Sequence, residues 1–438
     1  MKNFKPLAPL YAPYPLTDRI TLYWDSQAAF FIGIFSGLAL PLVGIVGRKL
    51  GMTSGQFAIM NAVMSIGFLL NLWFGHISEK GDKAALVFWP AMISRLAVAF
   101  AAFSTGPVSF LLIFSFYNFV SVLSSPAYSS IMRSNYSEAN RGLLMGNIRI
   151  FMQILSAVAA AAAGWFMHVY PSGYRVLFPV AAAFGVAGSL AFYQVKPRKK
   201  RPTADGAAAP AASEKSAAPT KTGAADRPAQ AADHPSQSFR SSLRCILADK
   251  AFLIYMGLIF FIGFPDKIVI PIEPIRFVDE LRMDYAMAGL IQGTIPFAAN
   301  ILGYLFYSRA LKRGNPFMLI LLSVCVSSVR SISIALATSP IHLIPGVFVA
   351  AFGNPGWDLL PLFTVVYFSG PDRLALYMGV YMALLGLRSL IGPIFGSVLY
   401  ESFNFSLSGL YWVVFILQCA GIVLFVLYLK RYRPHRMT

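Results

Sequence analysis

The 438-residue sequence predicts an all-α membrane protein of twelve transmembrane helices in two pseudo-symmetric six-helix bundles. Three features carry that expectation. Hydrophobic residues make up 57% of the chain and charged residues 12%, about half the charged share of a soluble domain. Apolar residues gather in runs of roughly 20, the length that crosses a hydrocarbon core, which excludes a soluble enzyme. The landmarks of the first half also recur in the second, and the basic residues crowd onto one side of the expected topology.

Taken in order, the first six spans fall at 22–47, 54–76, 84–104, 107–131, 143–168 and 174–194. The second six fall at 251–274, 284–307, 316–338, 341–368, 374–400 and 408–430. Backbone in lipid must satisfy its own hydrogen bonds, so each span is expected to be helical. The expected divisions are residues 1–195, a disordered cytoplasmic linker at 196–245, and residues 246–438. The second span ends in Asn71-Leu-Trp-Phe-Gly75 before a charged turn, and the eighth carries Asn300-Ile-Leu-Gly303 before Ser308-Arg309-Ala-Leu-Lys312-Arg313. Arg95 and Arg330 each stand alone in an apolar span, and Arg141 to Met145-Gly146 answers Arg373 to Met378-Gly379. Matched positions stay roughly 230 residues apart, the mark of an internal repeat.

A net charge of +18 would suit nucleic acid, but the placement of the charge argues for topology instead. With a cytoplasmic N-terminus, 26 of the 36 Lys and Arg residues lie on the cytoplasmic side, 5 outside and 5 within spans. The positive-inside rule therefore puts both termini and the linker in the cytoplasm, with the inner membrane as location and no nucleic-acid partner. Tail residues Lys430, Arg431, Arg433 and Arg436 are placed to meet anionic headgroups of the bilayer. No cleavable signal peptide is expected, because residues 1–21 are polar and Pro-rich. Cys245, Cys325 and Cys419 show no metal spacing, so neither a metal nor a disulfide framework nor any cofactor is expected. The linker, rich in Ala, Pro, Ser and Lys, has little to bury and is read as a tether, with a regulatory segment as the alternative.

Three local patterns then point to a family. Gly75-His-Ile-Ser-Glu79-Lys80-Gly81-Asp82-Lys83 is similar to the signature Gly-x-x-x-Asp-Arg-x-Gly-Arg between spans two and three of the major facilitator superfamily. Glu79 replaces its Asp, and the second Gly comes one residue early. Ser125-Pro126-Ala-Tyr128 with Arg141-Gly142 and Met145-Gly146-Asn-Ile-Arg149 resembles the span four to five region of bacterial members. Gly386-Leu-Arg388-Ser-Leu-Ile-Gly392-Pro393-Ile-Phe-Gly396 resembles their eleventh span. The resemblance implies that spans one, four, seven and ten line a central cavity, with two, five, eight and eleven beside them and the others outside. Independently of it, Gly386, Gly392 and Gly396 permit close helix contact and Pro393 bends the span, which suits either a moving interface or tight static packing. Ala157 to Gly164 forms a similar smooth face in the fifth span.

Charges within spans carry the functional argument, since an ion in hydrocarbon survives only beside a partner or a wet cavity. Asp25, Asp266 and Asp358 are the proton-coupling candidates, because a carboxylate that passes between wet and dry surroundings exchanges its proton. Arg388, Arg149, Lys267, Trp357, Asn300, Gln292 and Asn71 are the candidates for substrate contact or gating, and Gly75, Glu79, Lys80 and Lys83 form the cytoplasmic loop motif. Asp358 lies roughly 18 Å from the turn near Gly370 and Arg388 roughly 22 Å up the next helix, so the two are expected to pair. Pro265, Pro271 and Pro274 are expected to break the seventh span around Asp266 and Lys267, of which at most one should face the cavity squarely. Asp25 is alternatively a helix-start or gate residue, and Arg95 and Arg330 are read as buried struts.

The five histidines are scattered and no hydrolase or metalloprotease motif is present, which argues against a membrane enzyme. The expectation is a monomeric secondary carrier of a small solute, proton-coupled and working by alternating access, with efflux favoured over import. A sugar-like or organic-acid importer of the same fold, or a transporter-like sensor, are the alternatives.

Overall fold

The computed structural model describes residues 15–80, 82–195, 248–312 and 314–432. The expected linker and both chain ends lie outside the described residues. Within them the chain is helical, and ten helices are long and apolar enough to cross a membrane. In the first half these are α1 (Asp18–Lys49), α3 (Lys83–Phe103), α4 (Pro107–Asn135), α5 (Glu138–Val169) and α6 (Tyr174–Tyr193), with α2 (Ser54–Lys80) between the first two. The second half holds α7 (Lys250–Val269), α8 (Tyr285–Ala310), α9 (Pro316–Leu336) and α12 (Leu407–Tyr432).

Between α9 and α12 the backbone is helical from Leu343 through Glu401. Trp357 and Arg388 nonetheless meet, with 5.8 Å from the guanidinium carbon to the ring centroid. A straight helix would hold them roughly 46 Å apart. The chain therefore doubles back between them into two arms, α10 from Leu343 and α11 (Tyr377–Glu401). The two expected spans are both present, joined without leaving helical backbone.

Local chemistry sets the helix ends. Side chains of Asp82, Asp249, Asp284 and Asn315 accept from the amides of Ala84, Phe252, Met287 and Phe317, capping α3, α7, α8 and α9. At the end of α1, Gly51 takes φ +94° while its amide bonds Arg48 and that of Met52 bonds Gly47, a Schellman closure that only glycine adopts without strain. The seventh span departs from expectation: α7 runs unbroken through Pro265, Asp266 and Lys267 and unwinds only at residues 270–272. One proline removes one backbone bond, and the surrounding turns retain theirs.

Apolar packing joins the halves at one end and separates them at the other. At the end distant from the linker, one buried cluster includes Leu42, Ile45, Phe57 and Met167 together with Ile272, Phe277, Tyr285 and Tyr411. Toward the linker there are two separate clusters. Leu22, Ile131, Leu144 and Phe192 belong to the first half, and Phe252, Tyr255, Phe317 and Phe425 to the second.

The distant seam is made by small residues. A Cβ on Gly289 would stand 2.5 Å from the Ala160 carbonyl oxygen and 2.8 Å from Gly164 Cα, so α5 and α8 touch backbone to backbone. Polar contacts seal the same end: Arg48 pairs with Asp279, His168 with Asp284 at 3.1 Å, and Lys49 Nζ sits 3.7 Å over the Tyr285 ring. Glu401 accepts from Ser54 Oγ at 2.6 Å and from the Gly55 amide at 3.1 Å, so a carboxylate from α11 caps α2.

Candidate functional site

A cavity of about 730 Å³ lies between the halves, within the range of small-molecule sites. Most of its wall comes from the second half. Asp266 and Lys267 of α7, Gln292 of α8, Arg330 of α9, Trp357 and Asp358 of α10, and Tyr381 and Arg388 of α11 line it. From the first half come Val43 and Gly44 of α1 and Phe57, Met60 and Asn61 of α2. The expectation that spans nine and twelve stand outside does not hold, because Ser327, Ser328 and Arg330 of α9 and Gln418 of α12 also reach the cavity. In α9 these polar positions form a face at helical spacing, which an apolar average conceals.

Asp358 and Arg388 do not pair. The Asp358 carboxylate instead accepts from Tyr304 Oη of α8 at 2.5 Å and lies 4.0 Å from Arg149 of α5. Arg149 also donates to Tyr304 Oη at 3.4 Å. Depth along the helices suggested the wrong partner, because the direction in which each side chain leaves its helix decides contact. Arg388 turns toward α7, where it donates to the Ile259 carbonyl oxygen at 3.3 Å and lies over the Trp357 ring. Gly263 makes that possible, since a Cβ there would collide with the guanidinium. The arginine itself was legible in the sequence; the glycine that admits it, on another helix, was not.

Asp266 and Lys267 both line the cavity, 3.9 Å apart, where at most one of them was expected to face it squarely. A cavity this wide spans the angle of about 100° between consecutive helical positions. Gln292 lines it from a π-helical stretch at Leu290–Thr294, and its Nε2 is buried without a partner among the described residues. Such insertions often accompany functional sites.

Other expected residues lie elsewhere. Asp25 is buried and accepts from Tyr136 Oη at 2.9 Å, away from the cavity wall, so it joins α1 to the end of α4 rather than facing the cavity. Asn300 is likewise absent from the wall. Lys83 Nζ donates to Ser130 Oγ at 2.8 Å and ties α3 to α4. Asn71, Gly75, Glu79 and Lys80 are in the helix of α2, and the contacts of their side chains lie outside the described residues. Arg95 is a strut, donating to Ser189 Oγ at 2.6 Å and to the Gly185 carbonyl oxygen at 3.1 Å. Arg330 meets Glu273 at 2.5 Å, in the cavity wall.

Glu273 and Tyr304 are the residues that sequence reading missed. Glu273 stands at the very end of the expected seventh span, 251–274, and was not singled out there, while Tyr304 is one aromatic among many in α8. The spacing Gly289-Leu-Ile-Gln-Gly293 was a readable signal for the close α5–α8 contact.

The profile of the Major Facilitator Superfamily matches residues 27–266 and 256–438. No curated protein matches the chain. Among solved structures, the nucleoside transporter NupG aligns with TM-score 0.62 at 14% identity, covering 94% of this chain and 99% of its own. A bacterial homologue of the human lysosomal transporter Spinster, inward-facing and unoccupied, aligns with TM-score 0.59 at 12% identity, covering 95% and 96%. An auto-inhibited POT family peptide transporter aligns with TM-score 0.64 at 12% identity, covering 97% and 98%. At these identities the likeness establishes the fold alone.

Proposed function

We propose that this chain, which belongs to the Major Facilitator Superfamily, is a monomeric, proton-coupled carrier of a small polar solute in the cytoplasmic membrane, and not an enzyme. The division into residues 1–195 and 246–438 about a cytoplasmic tether at 196–245 belongs to the same proposal, with both termini cytoplasmic as the basic residues suggest. Export is the direction carried forward from the sequence.

The observation that supports this reading is the triad that Arg149 and Tyr304 form with Asp358 of the cavity wall. It takes its arginine from the first half and its carboxylate and phenol from the second. Protonating Asp358 removes the charge that draws Arg149 of the first half toward the second, so proton binding and relative motion of the halves act on one another. The packing supports the same mechanism, because the halves share one apolar cluster at the distant end and keep separate clusters near the linker. Alternating access would exchange one closed end for the other around a fixed site. Asp358 is preferred to Asp266 as the proton carrier because its cation comes from the other half of the chain, whereas that of Asp266 is its own neighbour on α7. Asp25, paired with a tyrosine inside the first half, has no such link between halves.

Purified protein in liposomes, under an imposed pH gradient, is tested against a panel of labelled organic acids, sugars and amphiphilic cations. For the solute transported, Asp358→Asn is expected to abolish gradient-driven accumulation and preserve exchange at equal pH. Full accumulation by this variant would reject Asp358 as the coupling group. The side on which solute accumulates relative to the gradient reads direction.

A further inference from the structure

Each carboxylate in the cavity wall already has a cation beside it, while one cation of that wall has no carboxylate within ion-pair distance among the described residues. Asp266 has Lys267 at 3.9 Å, Glu273 has Arg330 at 2.5 Å, and Asp358 has Arg149 at 4.0 Å. Arg388 is left over: among the described residues no carboxylate lies within ion-pair distance of it. Its side chain is nevertheless buried, at 8% exposure, where an unpaired cation is costly. One guanidinium nitrogen donates to the Ile259 carbonyl oxygen, while the buried Nε has no partner among the described residues.

The position is built rather than incidental. Any Cβ at position 263 would overlap the guanidinium, so the glycine keeps open the space that the group occupies. Trp357, also in the cavity wall, provides a flat apolar surface against the guanidinium at 5.8 Å from the ring centroid. Gln292 Nε2 and Ser327 Oγ, of residues on the same wall, are likewise buried without partners among the described residues. The guanidinium and the amide nitrogen are donors, and the hydroxyl serves as one too, which is the set that an anion satisfies.

We propose that the solute is an organic anion, its carboxylate received by Arg388 and its hydrophobic body laid against Trp357. This rests on the carrier reading above and gives that site its substrate class. A carboxylate supplies the counter-charge that Arg388 lacks among the described residues, so binding offsets the cost of burying an unpaired guanidinium. A neutral solute would satisfy hydrogen bonds without supplying charge, and a cation would add to the repulsion.

The test uses purified full-length protein and three probes of one shape that differ in charge: phenylacetate, phenylacetamide and phenethylamine. Thermal stabilisation in detergent reports binding, because a ligand that favours the native state raises the unfolding midpoint. Phenylacetate is expected to stabilise the protein more than the amide, and the amine not at all. Arg388→Gln is expected to weaken phenylacetate binding about tenfold or more, leaving the amide unchanged, and Arg388→Lys to recover part of the loss. Should the arginine variants not fold, Trp357→Leu is expected to weaken phenylacetate binding in a protein that keeps the cation. Equal or greater stabilisation by the amide or the amine in the unaltered protein overturns the assignment, as does undiminished phenylacetate binding in Arg388→Gln. Binding and transport are measured separately. A preference for the amine would reject the anion and leave the carrier standing, whereas anion binding without movement across liposomes would reject the carrier and leave the site.

Discussion

Glu273→Gln is expected to cost far more than a surface substitution, because its carboxylate sits 2.5 Å from Arg330 and is 13% exposed. The pair holds the turn after α7 against α9, so losing it affects the corner that shapes the cavity floor. Removing one member of a buried pair leaves the other charge uncompensated, at about 3–5 kcal/mol. Arg330 keeps a third of its side-chain surface exposed, which relieves part of that burden and places the expected loss near the lower bound, about 3 kcal/mol. That corresponds to roughly a hundredfold change in the folding equilibrium. Unfolding of the purified protein by sodium dodecyl sulfate, followed by circular dichroism, measures it. Arg330→Met should show a similar loss, and the double variant should lose less than the two singles combined, since it buries no lone ion. Strict additivity would refute the reasoning and reduce Arg330 and Glu273 to neighbours without energetic coupling.

Two further outcomes follow from the distant seam and from the charge distribution. Gly289→Leu forces a side chain into the space where Ala160 and Gly164 touch α8. It should destabilise the closed distant end by about 1–3 kcal/mol and increase labelling of a single cysteine at Gly55 by an impermeant maleimide; unchanged labelling would show that this contact does not hold the end shut. With Cys245, Cys325 and Cys419 replaced, a single cysteine at Ala217 should resist the same reagent in intact cells and react after permeabilisation. Reaction before permeabilisation would invert the topology.

Span positions, the repeat and the membrane class were legible in the sequence because hydrocarbon imposes local requirements. A crossing segment must be long, apolar and internally hydrogen-bonded, and each of these is visible in a window of residues. Arg149, Lys267, Trp357, Asp358 and Arg388 could be singled out by the same logic, since polar groups in such windows need a reason to be there. Their partnerships were not legible. Asp358 and Arg388 share a depth, yet one meets Arg149 of the first half and the other enters the notch left by Gly263. Asp25 reads from sequence like the other two acids and proves to be held by Tyr136, away from the cavity wall. Hydropathy reports where a residue lies along its helix; which way its side chain leaves the axis, and what meets it there, is decided when the helices pack.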